Sequence, residues 1–215
     1  MIASLARAVG EDRRVQAYRL GRRRLVVFDD VDVCVLVEHA AADGPPVASP
    51  HVIRAADRRS YVEIHQELRA LQAGRATREM EAGGWIPGVL WRGFWRLLER
   101  RPRLHRRVAG TVGVTAVGMF GRGAGFGIPI SDYTLMLTVG GIAERPAFAA
   151  GGSIERREYL SLTVSVDHDV VDGAPAARFI QRLKELLESG HGLDAAALAA
   201  EPEHRGRQTA LAVPA

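Results

Sequence analysis

Apolar and polar positions alternate along residues 160–167. Leu160, Leu162, Val164 and Val166 fall on one face, and Ser161, Thr163, Ser165 and Asp167 on the other. That is the period of a strand with one side buried. The alternation stops at the polar turn DHDVVDG, and after Pro175 the residues Ala176, Phe179, Ile180, Leu183, Leu186 and Leu187 recur at helical spacing. A proline is tolerated in the first helical turn, where its missing N–H leaves nothing unpaired. The pattern predicts a strand–turn–helix unit that holds an imidazole, His168, and nearby carboxylates at its mouth. Rigid elements on either side are a common way to present reactive groups.

The same patterning divides the rest of the chain. Residues 2–9 read as a helix that residues 11–14 close, and Leu25, Val26, Val27 and Phe28 as a strand. Val31, Val33, Val35 and Val37 alternate with Asp32, Cys34, Leu36 and Glu38 as a second strand. DGPP at residues 43–46 is a turn signal. Val52 and Ile53 form a short apolar segment before an amphipathic helix, for which Ser60 and Glu63 have the spacing of a capping box. Further on, Leu90, Phe94, Leu97 and Leu98 make a helical stripe, with Trp85, Trp91 and Trp95 interleaved among arginines. The glycine-rich run at residues 121–127 departs from G-x-G-x-x-G and is followed by no P-loop lysine, so turns needing positive φ explain it better than a phosphate cradle.

Composition narrows the classes. With 215 residues and 47% hydrophobic residues, the chain is long and apolar enough for one globular domain. It holds no apolar run of the length a transmembrane helix needs. Its N-terminus is too charged for a secretion signal. Cys34 is the single cysteine, which leaves no internal disulfide and no cysteine metal cluster. The chain reads as cytoplasmic. The net charge of +4 is carried by arginine, with Lys184 the one lysine. The basic residues are spread over several segments with no nucleic-acid motif, so charge alone supports no nucleic-acid partner.

The run DHDVVDGAPAARFIQRLKELLE resembles the Asp-His-Arg-x-x-Asp-Gly signature, with its following helix, of the acyltransferase subunits of 2-oxoacid dehydrogenase complexes. The shorter His-x-x-x-Asp-Gly pattern is shared with chloramphenicol acetyltransferase. PHVIRAAD resembles the family's Pro-Val-Ile-x-x-Ala-Asp segment, and GTVGVTAVGMFG its Gly-Thr-Phe-Thr-(Ile/Val)-Ser-Asn-Leu-Gly segment. The resemblance covers most of residues 15–190 and is weakest between 75 and 108. It implies an α/β fold, a two-layer sandwich with a mixed β-sheet like that of chloramphenicol acetyltransferase. It also implies trimers, or multiples of trimers, with active sites at subunit interfaces. Residues 1–192 would form the catalytic-type domain, short at its N-terminus and divergent at 75–108, with 193–215 a flexible tail.

By this resemblance His168 is the general base, Thr115 the hydroxyl that stabilises the oxyanion, and Asp172 the acidic residue that orders the turn. The substrate would be coenzyme A as acyl-CoA, with no metal required. A lipoyl group would come from another, lipoyl-carrying chain. Two departures stand in the motifs: Asp169 replaces the family's arginine, and Ala116 its asparagine. A carboxylate at 169 either favours the imidazolium form of His168 or points away from it. The family's domain also begins earlier, with a helix and a strand that include an arginine near the site. The alternative is a catalytically inactive scaffold or assembly subunit, acting through the Trp85 to Trp95 segment. That segment could also touch a membrane interface, although such stripes are core more often than function.

Overall fold

The computed structural model describes residues 1–39, 47–73, 88–118 and 123–193. The turn at 43–46, Trp85, Met119, Phe120 and Gly121 lie outside them, as does the expected tail beyond Leu193. Helix α1 (Ile2–Glu11) leads through a 3-10 turn (Arg13–Gln16) into a two-stranded ribbon, β1 (Tyr18–Leu20) with β2 (Arg24–Val26). The main sheet has five strands in the order β4-β3-β5-β6-β7: β3 (Val33–His39), β4 (Val47–Ile53), β5 (Val112–Ala116), β6 (Leu135–Phe148) and β7 (Ile154–Val166). Its central strands β3, β5 and β6 run parallel, and β4 and β7 are antiparallel at the two edges. The sheet is therefore mixed, as expected from the resemblance.

One face of the sheet is covered by helices α1, α2 (Tyr61–Gln72) and α5 (Gly173–Glu188). Alternation decides which residues meet them. Val33, Val35 and Val37 of β3, Val112 and Val114 of β5, and Leu135 and Leu137 of β6 join one core with Leu5, Val9, Ile64, Phe179 and Leu183. Helix α2 starts with the predicted capping box: the Ser60 hydroxyl accepts the Glu63 N–H, and the Glu63 carboxylate accepts the Ser60 N–H at 2.8 Å. The other face carries Cys34, Leu36, Gly113 and Met136, overlaid at one end by Trp95 of α3 (Gly88–Glu99), His105 of α4 (Pro102–Ala109) and Tyr133.

Three expectations change. In the 160–167 alternation Leu160 is exposed and Ser161 buried. The pairing of β6 with β7 shifts register between Val139 and Ile142, and beyond that point most of the long hairpin is exposed. In α3 only Leu98 of the described stripe is buried, whereas Phe94 and Leu97 are exposed. Close approach at the glycine-rich run depends on its own Gly127 and on the facing Gly140 and Gly141 of β6, whereas a Cβ on Gly123 or Gly125 would meet nothing. Gly123 alone has a positive φ among its described glycines, but a Cβ on Gly140 would lie 2.0 Å from the Gly125 carbonyl oxygen. The segment lies flat on the start of the hairpin, with the Gly141 N–H donating to the Gly125 carbonyl at 3.0 Å.

Candidate active site

The turn between β7 and α5 is built by backbone hydrogen bonds. The Asp167 N–H donates to the Thr134 carbonyl at 2.9 Å, continuing the β6–β7 pairing, and the Asp167 carbonyl accepts the N–H groups of Val170 and Val171. The Asp167 carboxylate accepts the Asp169 N–H at 2.9 Å. His168 stands between these two acids on the turn and is exposed. Asp172 occupies the N-cap of α5, exposed, with no side-chain capping bond.

Asp169, the family's arginine position, is tied down by a residue far away in the chain. Arg19 of β1 donates from Nη1 to Asp169 Oδ2 at 2.5 Å, and its Nε lies 3.9 Å from Asp167 Oδ2. Of the two possibilities open for this carboxylate, the structure has it paired with a guanidinium. Sequence reasoning missed Arg19. The signal was present in the departure itself, because an acid replacing an arginine invites an arginine from elsewhere.

Thr115 sits on β5, half-buried, with Thr138 and Thr163 beside it in register. Thr138 is buried and its hydroxyl is unpartnered among the described residues. The structure does not bring Thr115 and His168 together in one chain. Thr163 is two strands across from Thr115, and His168 lies five residues beyond Thr163. With strands ~4.8 Å apart and ~3.3 Å rise per residue, the two side chains are roughly 15–20 Å apart.

A cleft of about 520 Å³ opens beside the turn, between Tyr18, Arg19, Trp95, His105, Asp132 and Asp167. Two of its walls, Trp95 and His105, come from the segment where the resemblance is weakest. Cys34 is not a rival nucleophile. Burial pushes its thiol up, outweighing the hydrogen bond with Tyr133 and the charge of Arg54, so the thiolate is scarce at neutral pH.

A second polar cluster lies behind α4. Buried Asp32 accepts from Arg54 Nη1 at 3.0 Å, from Arg106 Nε at 2.8 Å and from the Ala55 N–H at 2.9 Å. Arg106 also binds Asp30 at 2.8 Å, and Arg54 caps the last carbonyls of α4 at Arg106 and Arg107. Burial would raise the Asp32 pKa, but the hydrogen bonds from Arg106, Ala55 and Arg54 prevail and hold it below the usual carboxylate range. Asp32 and its partners attach α4, and so His105, to the sheet.

Residues 99–193 match the model of the 2-oxoacid dehydrogenases acyltransferase catalytic domain. Among curated relatives, the chain is 28% identical over 148 residues to the dihydrolipoyllysine-residue acetyltransferase component of the pyruvate dehydrogenase complex of Acholeplasma laidlawii, covering 68% of this chain and 23% of that protein. It is 38% identical over 80 residues to the lipoamide acyltransferase component of the branched-chain alpha-keto acid dehydrogenase complex of Bacillus subtilis, covering 37% of this chain and 19% of that protein. The chain thus spans about a quarter or less of the length of these two relatives. A truncated catalytic core of the 2-oxoacid dehydrogenase multienzyme complex from Thermoplasma acidophilum superposes with a TM-score of 0.55 at 27% identity, over 88% of this chain and 74% of that one. The dihydrolipoamide acetyltransferase of Azotobacter vinelandii shares the fold, with a TM-score of 0.63 at 20% identity over 92% and 68% of the two chains. Over residues 99–193 the chain is similar to the catalytic domains of 2-oxoacid dehydrogenase acyltransferases.

Proposed function

We propose that this protein is an acyltransferase that moves an acyl group between coenzyme A and a thiol, a dihydrolipoamide-like group on another chain or a small free acceptor. His168 takes the proton from the attacking thiol. The thiolate adds to the thioester carbonyl carbon, and the oxygen that becomes negative is met by the Thr115 hydroxyl. When the intermediate collapses, the carbon–sulfur bond to the leaving thiol breaks, and that sulfur recovers the proton from the imidazolium. Asp172 stands at the start of α5 beside this turn. A histidine is suited to both proton transfers, since its ordinary pKa lies near neutrality.

The observation that carries this reading is the separation of the two groups within one chain. Neither can serve the other's substrate carbonyl across roughly 15–20 Å. A second copy that brings its Thr115 end against the His168 turn of the first completes the site, as in a cyclic trimer. The test is subunit complementation. His168→Ala and Thr115→Ala proteins are each expected to lose acyl transfer from acetyl-CoA to dihydrolipoamide. Co-assembled in equal amounts, they recover about one site in four, as random mixing in a closed trimer requires. Full activity in His168→Ala would sink the proposal.

A second reading has its own observation. Phe94 and Leu97 of α3 are exposed apolar residues, which a scaffold subunit could use to bind a partner. If folded wild-type protein neither binds coenzyme A nor transfers an acyl group, that reading replaces the first.

A further inference from the structure

We propose that Arg19 is a positioning residue for His168, returning to the turn from β1 the guanidinium that the family carries on the residue after its histidine. The kinetic half of this inference rests on the acyltransferase reading above; the structural half does not.

Five contacts make the case. Asp169 would otherwise present a free carboxylate next to the imidazole; Arg19 Nη1 takes it at 2.5 Å. The same arginine reaches toward Asp167, whose carboxylate accepts the Asp169 N–H at 2.9 Å. Both neighbours of His168 are therefore held through one side chain. Arg19 is itself indexed to the turn through a shared residue, the buried Thr134. The Thr134 hydroxyl donates to the Ala17 carbonyl at 2.6 Å, two residues before Arg19. The Thr134 carbonyl accepts the Asp167 N–H at 2.9 Å, one residue before His168. The root of the arginine and the root of the turn are pinned to the same point.

The pair is exposed, with 46% of the Arg19 side chain and 65% of the Asp169 side chain accessible. Exposed ion pairs add little to global stability. Arg19 therefore acts on where the turn points. A freed Asp169 could swing onto the imidazole and compete with the thiol for it, and small misplacements of a reacting group are costly in rate.

The experiment is a charge exchange. Arg19→Ala is expected to lower kcat between tenfold and a hundredfold (~10–10², the cost of a misplaced group). KM for coenzyme A and the unfolding midpoint should hardly move. Arg19→Asp combined with Asp169→Arg recreates the family's arginine and is expected to restore kcat, whereas Asp169→Arg alone does not. Amide hydrogen exchange over residues 168–171, followed by mass spectrometry, needs no turnover. It should quicken in Arg19→Ala and return to the wild-type rate in the exchanged pair. Unchanged exchange in Arg19→Ala overturns the inference, and so does a kcat loss that the exchanged pair leaves unrepaired. If wild type transfers no acyl group at all, the acyltransferase reading fails while the exchange data still decide whether Arg19 holds the turn.

Discussion

Asp32 and Asp169 are both held by arginines from distant parts of the chain, one in the interior and one in the open. Asp32 has 2% of its side chain accessible and accepts from two guanidinium groups and a backbone N–H. Asp169 is mostly accessible and meets one arginine. The residue types are the same and the consequences differ because of water. Around Asp32, losing a partner leaves a charge in a place that water does not reach. Around Asp169, water replaces any lost partner, so the pair can steer a turn and contribute almost nothing to stability. Burial, more than the ion pair itself, separates a structural network from a positioning one.

The largest effect should come from Asp32→Ala, which strands Arg54 and Arg106 and uncaps α4. We expect a loss of about 3 kcal/mol, the lower end for a broken buried pair because both arginines are partly accessible. Urea unfolding measures it; a loss under ~1 kcal/mol would show that the cluster is no more than a surface pair. Acid should reproduce part of that loss. The Asp32 pKa is lowered in the folded state, so at intermediate pH the unfolded chain binds more protons than the folded one. The contribution is complete above the ordinary carboxylate pKa of about 4 and fades as pH falls through the lowered folded value. Stability curves of wild type and Asp32→Asn should therefore converge on acidification; parallel curves would exclude Asp32 as the source.

A smaller effect provides a scale between the two networks. Ser60→Ala breaks the α2 capping box and should cost about 1 kcal/mol, read from the urea midpoint. Arg19→Ala should fall below it, under ~0.5 kcal/mol, despite its large effect on kcat. If Arg19→Ala destabilises more than Ser60→Ala, the contrast between steering and stabilising does not hold. Cys34, buried on β3 two residues after Asp32, reports on the same contrast. Its thiol should react slowly with a thiol reagent in wild type and in Arg19→Ala, and faster in Asp32→Ala, where the sheet edge beneath α4 opens more often.

Much of the fold was legible because its signals are local. The alternation of β3 and β7, the helical spacing of α5 and the capping box at Ser60 each involve residues within one or two turns or a few strand positions. The departures have physical causes that no local window contains. Leu160 is exposed where the β6–β7 pairing has shifted register, and the exposed Phe94 and Leu97 belong to a helix that packs chiefly on α4. Gly140 and Gly141 mark where β6 meets the backbone at 123–125 in close contact, which a sequence pattern cannot tell from a turn. At the candidate site, His168 was legible from its turn and Thr115 from the resemblance of its segment. Their separation was not, since it depends on which strands neighbour each other.

The chain by itself determined its periods, its caps and the residue types at the strand–turn–helix mouth, because propensity and side-chain spacing act over a few residues. Only the tertiary structure decided that Arg19 closes on Asp169 across 150 positions, that Asp32 draws Arg54 and Arg106 together, and that His168 and Thr115 stand well apart in one chain. Those pairings follow from strand order and from the burial that the order creates, and both arise only when distant segments pack together.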